Sequence, residues 1–199
     1  MAAIFIMLAY VVGAIPSGYI STKLFRKLDV TKVGTGNVGT MNTLVNVGVL
    51  PGMVTLVMDL SKTFFILYLS SRWFNHDAFM MAGMFMVVLG HNYSIFLKFK
   101  GGKGLASLAA LFFWFSPIIN IYMIGIYLVF FGFFKSVNIC TILTLLFLPL
   151  IFYRHESNLT YLVGGISLSL IAISKHIKLM LKQMRSDVSV GFEEEMRYE

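Results

Sequence analysis

The feature that most restricts this chain is its succession of apolar runs, each long enough to matter to a lipid bilayer. A hydrocarbon layer of about 30 Å is crossed by roughly 20 helical residues. Within it, backbone polar groups must be satisfied internally, which for a run of this kind means α-helix. Candidate spans are residues 2–22, 48–70, 79–97, 139–153 and 159–174. They are apolar nearly all round, unlike the single apolar stripe of a surface helix. Residues 105–134 form a longer stretch, which as one straight helix would measure about 45 Å. Ser116-Pro117 divides it, because proline removes a backbone donor and disfavours helix at the residue before it. Two helices result, 105–116 and 118–134.

The charges decide how these spans are threaded. With seven spans and an external N-terminus, one side carries Lys23, Arg26, Lys27, Lys32, Lys98, Lys100, Lys103, Lys135, Lys175, Lys178, Lys182, Arg185 and Arg197. The other side carries only Arg72 and Arg154, and Lys62 lies inside a span. Six spans would move the basic C-terminal segment across the membrane and destroy this asymmetry. The positive-inside rule therefore selects seven, with the basic side and the C-terminus cytoplasmic. The expected fold is an all-α integral membrane protein with seven transmembrane helices, some short, in the plasma membrane. Residues 1–185 make one membrane domain, and 186–199, ending in Glu193-Glu194-Glu195, a solvated cytoplasmic tail. Only 13% of the residues are charged and 58% are hydrophobic, against about 25% charged in a soluble domain. That composition excludes an ordinary soluble enzyme, a disordered chain and a nucleic-acid-binding domain. The net charge of +7 reports topology, not a nucleic-acid partner. Cys140, the lone cysteine, cannot form an internal disulfide. Met1 to Val12 lacks the basic start of a cleavable signal peptide.

Chemistry concentrates in a few polar segments. Gly34-Thr35-Gly36-Asn37-Val38-Gly39 spaces three glycines with a hydroxyl and an amide. Such a loop lets backbone N–H groups converge on an anion, although close helix packing or a plain turn uses the same residues. Gly101-Gly102-Lys103-Gly104 is more specific: an ammonium among three flexible peptides, at the opening of a helix, suits a phosphate. An interfacial anchor accounts for Lys98 and Lys100 but not for the glycines around Lys103. His91 lies within a span, where a histidine is costly and by default functional. Asp59 and Lys62 share a helix face and read as a structural pair. His176 is either a helix-end cap or a site group, whereas His76 and His155 read as surface residues. No cluster has metal-ligand spacing, and no Ser-His-Asp set can be assembled.

These segments, with Gly13-Ala14-Ile15-Pro16-Ser17-Gly18-Tyr19, Thr40-Met41-Asn42, Asp59-x-x-Lys62 and the run from Gly90 to Ala106, resemble the PlsY family of bacterial membrane acyltransferases. The resemblance covers the whole chain in length and span order. It implies seven helices, an external N-terminus and a cytoplasmic site without a cofactor. It also implies transfer of a fatty acyl group from acyl phosphate to the 1-position of glycerol 3-phosphate. The departing phosphate, in place of a side-chain base, would take the hydroxyl proton. Carried over by motif, the catalytic residues are Lys103, Thr35 and His176. Substrate and phosphate contacts fall to Gly34, Gly36, Asn37, Gly39, Asn42, His91, Gly101, Gly102, Asn138 and Thr141. Thr35 stands where the family has serine, and Asn138 and Thr141 where it has two serines. Thr40-Met41-Asn42 replaces Ala-Thr-Asn. Val45 replaces an arginine and Leu179 an asparagine, and valine cannot act as a charged bidentate donor. Two readings follow: an acyltransferase with altered acceptor recognition, or a non-catalytic membrane protein with a lipid-binding or assembly role. A transporter is the third, disfavoured because buried charge beyond Asp59 and Lys62 is lacking.

Overall fold

The computed structural model describes the backbone of residues 1–195 and the side chains of residues 1–181, and it is helical throughout, with no strand among the described residues. The expected tail at 186–199 lies outside the residues described in full. Helices α1 (Ala2–Ala14) and α2 (Ser17–Arg26) are joined by Ile15-Pro16. A short 3₁₀ turn, Val30–Lys32, precedes α3 (Thr40–Asn46) and α4 (Val49–Trp73). Then follow α5 (Asp77–Asn92), a second 3₁₀ turn at Ile95–Leu97, α6 (Leu105–Phe115) and α7 (Pro117–Phe134). The chain continues through α8 (Val137–Leu145), α9 (Leu148–Glu156) and α10 (Leu159–Glu195).

Six segments are long and apolar enough to cross a membrane: Ala2–Arg26, Val49–Trp73, Asp77–Leu97, Pro117–Phe134, Val137–Glu156 and Leu159–Leu181. The remaining apolar helix, α6, has 11 residues, about 16 Å of helix, half the hydrocarbon thickness. The division at Ser116-Pro117 falls where proline sterics place it. Ser116 is extended (φ −164°, ψ 125°) and Pro117 opens α7, where its missing N–H costs nothing.

Three expectations are corrected. The run 2–22 is a helix pair, because Ile15 is held extended (ψ 118°) before Pro16, as the proline ring demands. The run 139–153 is likewise divided, with Pro149 in the first turn of α9. The run 159–174 does not stop at its first charges. Lys175 and His176 remain helical and buried, because Lys175 Nζ donates to the Asn92 carbonyl at 2.6 Å. A charge with a partner does not have to end a helix.

Packing fixes two ends of the bundle. α1 and α5 approach so closely that a Cβ at Gly13 would strike the Val87 carbonyl, and one at Gly90 the Tyr10 carbonyl. The main core joins α4, α5, α6, α9 and α10 through Leu67, Met84, Leu111, Phe152 and Leu168. At one end, Asp77 accepts from Tyr161 Oη at 2.8 Å and from Asn158 Nδ2 at 3.1 Å, tying the start of α5 to the start of α10. At the other end lie both glycine-rich loops. There α7 packs against α6 and α8, and most of its remaining surface is exposed.

Candidate active site

A cavity of about 670 Å³ opens among α3, α6, α7, α8 and α10. Its largely apolar part is lined by Leu105, Leu108, Ala109 and Phe112 of α6 and by Asn120, Met123, Ile124 and Tyr127 of α7, with Asn120 the one amide among them. Both sets follow the i, i+3, i+4, i+7 spacing that puts residues on one helix face. Its polar part is lined by Thr35, Asn37, Asn42, Asn46, Lys103, Asn138, Thr141 and His176. One space therefore runs from a hydrocarbon-like groove to a cluster of amides, hydroxyls and one ammonium.

The loop before α3 is organised by Asn42. Its Oδ1 accepts from Thr35 N at 3.0 Å, from Thr35 Oγ1 at 3.1 Å and from Asn46 Nδ2 at 3.0 Å. Its Nδ2 donates to the carbonyls of Val33 and Asn37 at 3.0 and 2.8 Å. The turns this requires give Gly34 and Gly36 φ values of +57° and +69°, a region other residues enter at a cost. Asn37 Oδ1 and Thr40 Oγ1 are buried without a partner.

The second loop is built differently. Gly102 N donates to the His91 carbonyl at 2.9 Å. A Cβ on Gly101 would collide with that same carbonyl, and one on Gly102 with His91 Nε2. Two glycines thus let the loop lie flat on the end of α5, from which Lys103 reaches the cavity. Lys103 Nζ donates to Asn138 Oδ1 at 3.0 Å. Partial burial holds its ammonium below the ordinary lysine range, because desolvation disfavours the charged form.

Asn138 connects this lysine to α10. A lysine has only donors, so the atom it reaches must be the amide oxygen. His176 Nδ1 lies 3.1 Å from the same oxygen and must therefore carry a proton. His176 Nε2 is left with its lone pair, buried and unpartnered, in a residue that lines the cavity and is fully buried.

The sequence-derived site residues thus divide into two groups. Lys103, Thr35, His176, Asn37, Asn42, Asn138 and Thr141 come together around the cavity. Gly34, Gly36, Gly39, Gly101 and Gly102 shape the loops that carry them and are not among the lining residues. His91 is also outside the lining, buried beside Asp59 and Lys62. Sequence reading missed Asn120 and the apolar faces of α6 and α7. Their helical spacing was a usable signal, but in a membrane helix every face is apolar and no stripe stands out. Among the described residues no group of acidic, histidine or cysteine side chains is placed to hold a metal ion.

Comparison with known proteins converges on one family. Residues 3–185 match the family described as glycerol-3-phosphate acyltransferase. The glycerol-3-phosphate acyltransferase of Carboxydothermus hydrogenoformans is 33% identical over 180 residues, covering 90% of this chain and 91% of that protein. The enzyme of that name from Bacillus subtilis is 32% identical, covering 85% and 88%. A crystal structure of PlsY, an integral membrane glycerol 3-phosphate acyltransferase, in its glycerol 3-phosphate form, superposes with a TM-score of 0.79. The identity there is 26%, over 93% of this chain and 92% of that one.

Proposed function

This chain belongs to the glycerol-3-phosphate acyltransferase family, and we propose that it transfers a fatty acyl group from acyl phosphate to the 1-hydroxyl of glycerol 3-phosphate, forming lysophosphatidic acid for phospholipid synthesis. The observation that carries this reading is the single cavity joining an apolar groove to a phosphate-suited polar cluster. The acyl chain occupies the groove between α6, α7 and α8, which sets its carbonyl near Lys103. The Lys103 ammonium and the adjacent loop hold the phosphate of the donor. Glycerol 3-phosphate lies on the other side of the cavity, against Thr35, Asn37, Asn46 and His176. Its 1-hydroxyl oxygen attacks the acyl carbon, an ester C–O bond forms, and the C–O bond to phosphate breaks. The departing phosphate takes the hydroxyl proton. No step needs a side-chain nucleophile, so the rate comes from positioning and from fixed dipoles and charge around the reacting phosphate.

The acceptor side supports a second, narrower reading. Among the described residues, Lys103 is the only lysine or arginine lining the cavity, yet donor and acceptor each bring a phosphate. Val45 also lines it, with 67% of its surface exposed, where a cation would serve an anionic acceptor. An acceptor less anionic than glycerol 3-phosphate fits that lining. For topology, seven spans with the N-terminus outside place the cavity at the cytoplasmic face of the plasma membrane, which the distribution of lysine and arginine supports.

The test is acyl transfer by purified protein in lipid, with acyl phosphate as donor and glycerol 3-phosphate varied. Lysophosphatidic acid and inorganic phosphate should appear in equal amounts. A protein that forms no ester from acyl phosphate with glycerol 3-phosphate or other glycerol-based acceptors is not this enzyme. A KM for glycerol 3-phosphate in the usual range of about 1 μM to 1 mM eliminates the altered acceptor.

A further inference from the structure

The most heavily buried charge among the described residues is not at the cavity. Asp59 on α4 is 1% exposed and its Oδ1 lies 2.8 Å from Lys62 Nζ, one turn along the same helix. Ser17 Oγ of α2 donates to the same Oδ1 at 2.8 Å. Lys62 also donates to the Ile15 carbonyl at 3.2 Å, where α1 breaks, and lies 3.0 Å from His91 Nδ1 on α5. A pair that only stabilised the bundle would not need the histidine. Replacing a buried ion pair with apolar residues of similar volume is often neutral or favourable.

The donor inventory fixes what His91 must be. An ammonium has three protons and no lone pair, and here its three close acceptors are Asp59 Oδ1, the Ile15 carbonyl and His91 Nδ1. His91 Nδ1 is therefore unprotonated, and the neutral ring carries its proton on Nε2. Asp59 Oδ1 lies farther from that ring nitrogen, at 3.4 Å, as an acceptor facing another acceptor should. The Nε2 edge is the one against Gly102, where it fills the space a Cβ would take. One residue on stands Lys103, bound to Asn138.

We propose that Asp59 and Lys62 are positioning residues for acyl transfer: Lys62, anchored by Asp59, locks the ring orientation and Nε2–H tautomer of His91, and His91 sets the Gly101–Gly104 loop that presents Lys103. The proposal rests on Lys103 acting in the site as described above. Asp59 and Lys62 touch no substrate. Their effect reaches the chemistry through one ring and one loop, across three helices that meet only in the folded chain.

The experiment separates this role from stability. Lys62→Met alone leaves a buried carboxylate unpaired and should lower both thermal midpoint and activity. The double variant Asp59→Leu/Lys62→Met removes both charges and should recover the midpoint. Its kcat with acyl phosphate should nevertheless stay roughly ten- to a hundredfold below the parent, the scale of a misplaced catalytic group. Nitrogen NMR of histidine-labelled protein gives a second readout that needs no turnover. Among the four histidines, the signal that vanishes in His91→Gln should be an Nε2–H tautomer in the parent and should change tautomer in Lys62→Met. A double variant with parental kcat, or a His91 signal with its proton on Nδ1 in the parent, overturns the proposal. Lys103→Ala is measured alongside. If that variant keeps full activity, the site itself is misassigned. If it loses activity while the double variant does not, only the positioning role fails.

Discussion

The two glycine-rich loops at the cavity look alike in sequence and are braced in opposite ways. The 34–39 loop is held locally: Asn42, only a few residues downstream, makes five side-chain hydrogen bonds, three to Thr35 and Asn37 in the loop and one each to Val33 and Asn46 beside it. The 101–104 loop makes no such local network. It lies against His91, which is in turn held by Lys62 and Asp59 from α4. A locally braced loop tolerates error in the rest of the fold, whereas a remotely braced one transmits it. Glycine also serves two purposes here: Gly34, Gly36 and Gly104 adopt a positive φ, and at Gly101 and Gly102 a side chain would strike residues at the end of α5.

The largest expected effect is at one of the crowded glycines. Gly102→Ala drives a methyl group into the His91 ring and should lower kcat/KM about a hundredfold. Gly39→Ala has no nearer neighbour than Asn37 Nδ2 at 3.4 Å. It should cost less than about 1 kcal/mol, as a poorer cap for α3, and leave kcat nearly unchanged. Steady-state kinetics on the two variants compares them directly, and equal losses would erase the difference between the loops.

Next in size is Asn42→Ala. Losing the amide frees the Thr35–Asn37 segment without touching the second loop. The KM for the acceptor should rise about tenfold, the equivalent of ~1.4 kcal/mol, while the KM for acyl phosphate stays close to the parent. A change confined to the donor KM would reverse the assignment of the two sides.

The pH dependence comes third. Burial lowers the affinity of Lys103 for its proton, so the ammonium is present at low pH and is lost as pH rises through a value below the ordinary lysine range. kcat/KM for acyl phosphate should therefore fall on the alkaline side at a lower pH than a solvated lysine would produce. Lys103→Arg, which stays charged throughout, should lose that alkaline limb even if its overall rate is reduced. A limb that survives in the arginine variant belongs to another group.

The smallest effect is at Thr35, whose hydroxyl donates to Asn42. Thr35→Ser keeps that bond and should be almost silent. Thr35→Ala should cost about 1 kcal/mol of loop order, read as a few-fold rise in acceptor KM.

What the sequence determined by itself is local or additive. Apolar length gave the helices, and Pro117 separated α6 from α7, because both depend on a few neighbouring residues. The phosphate-suited character of Gly101–Gly104 was legible for the same reason, as was the pairing of Asp59 with Lys62 one helical turn apart. Proline also broke the first span at Pro16 and the sixth near Pro149, but uniform apolarity concealed those breaks. Tertiary structure alone decided which polar groups share a space. It brought Lys103, Asn138 and His176 together from three separate segments and set His91 behind the loop instead of in the cavity. It also allowed α10 to continue through Lys175, since the carbonyl that satisfies that charge comes from α5, 83 residues earlier in the chain. Partners so distant leave no periodicity in a sequence, because the energy that selects them arises only when burial removes water as the alternative partner.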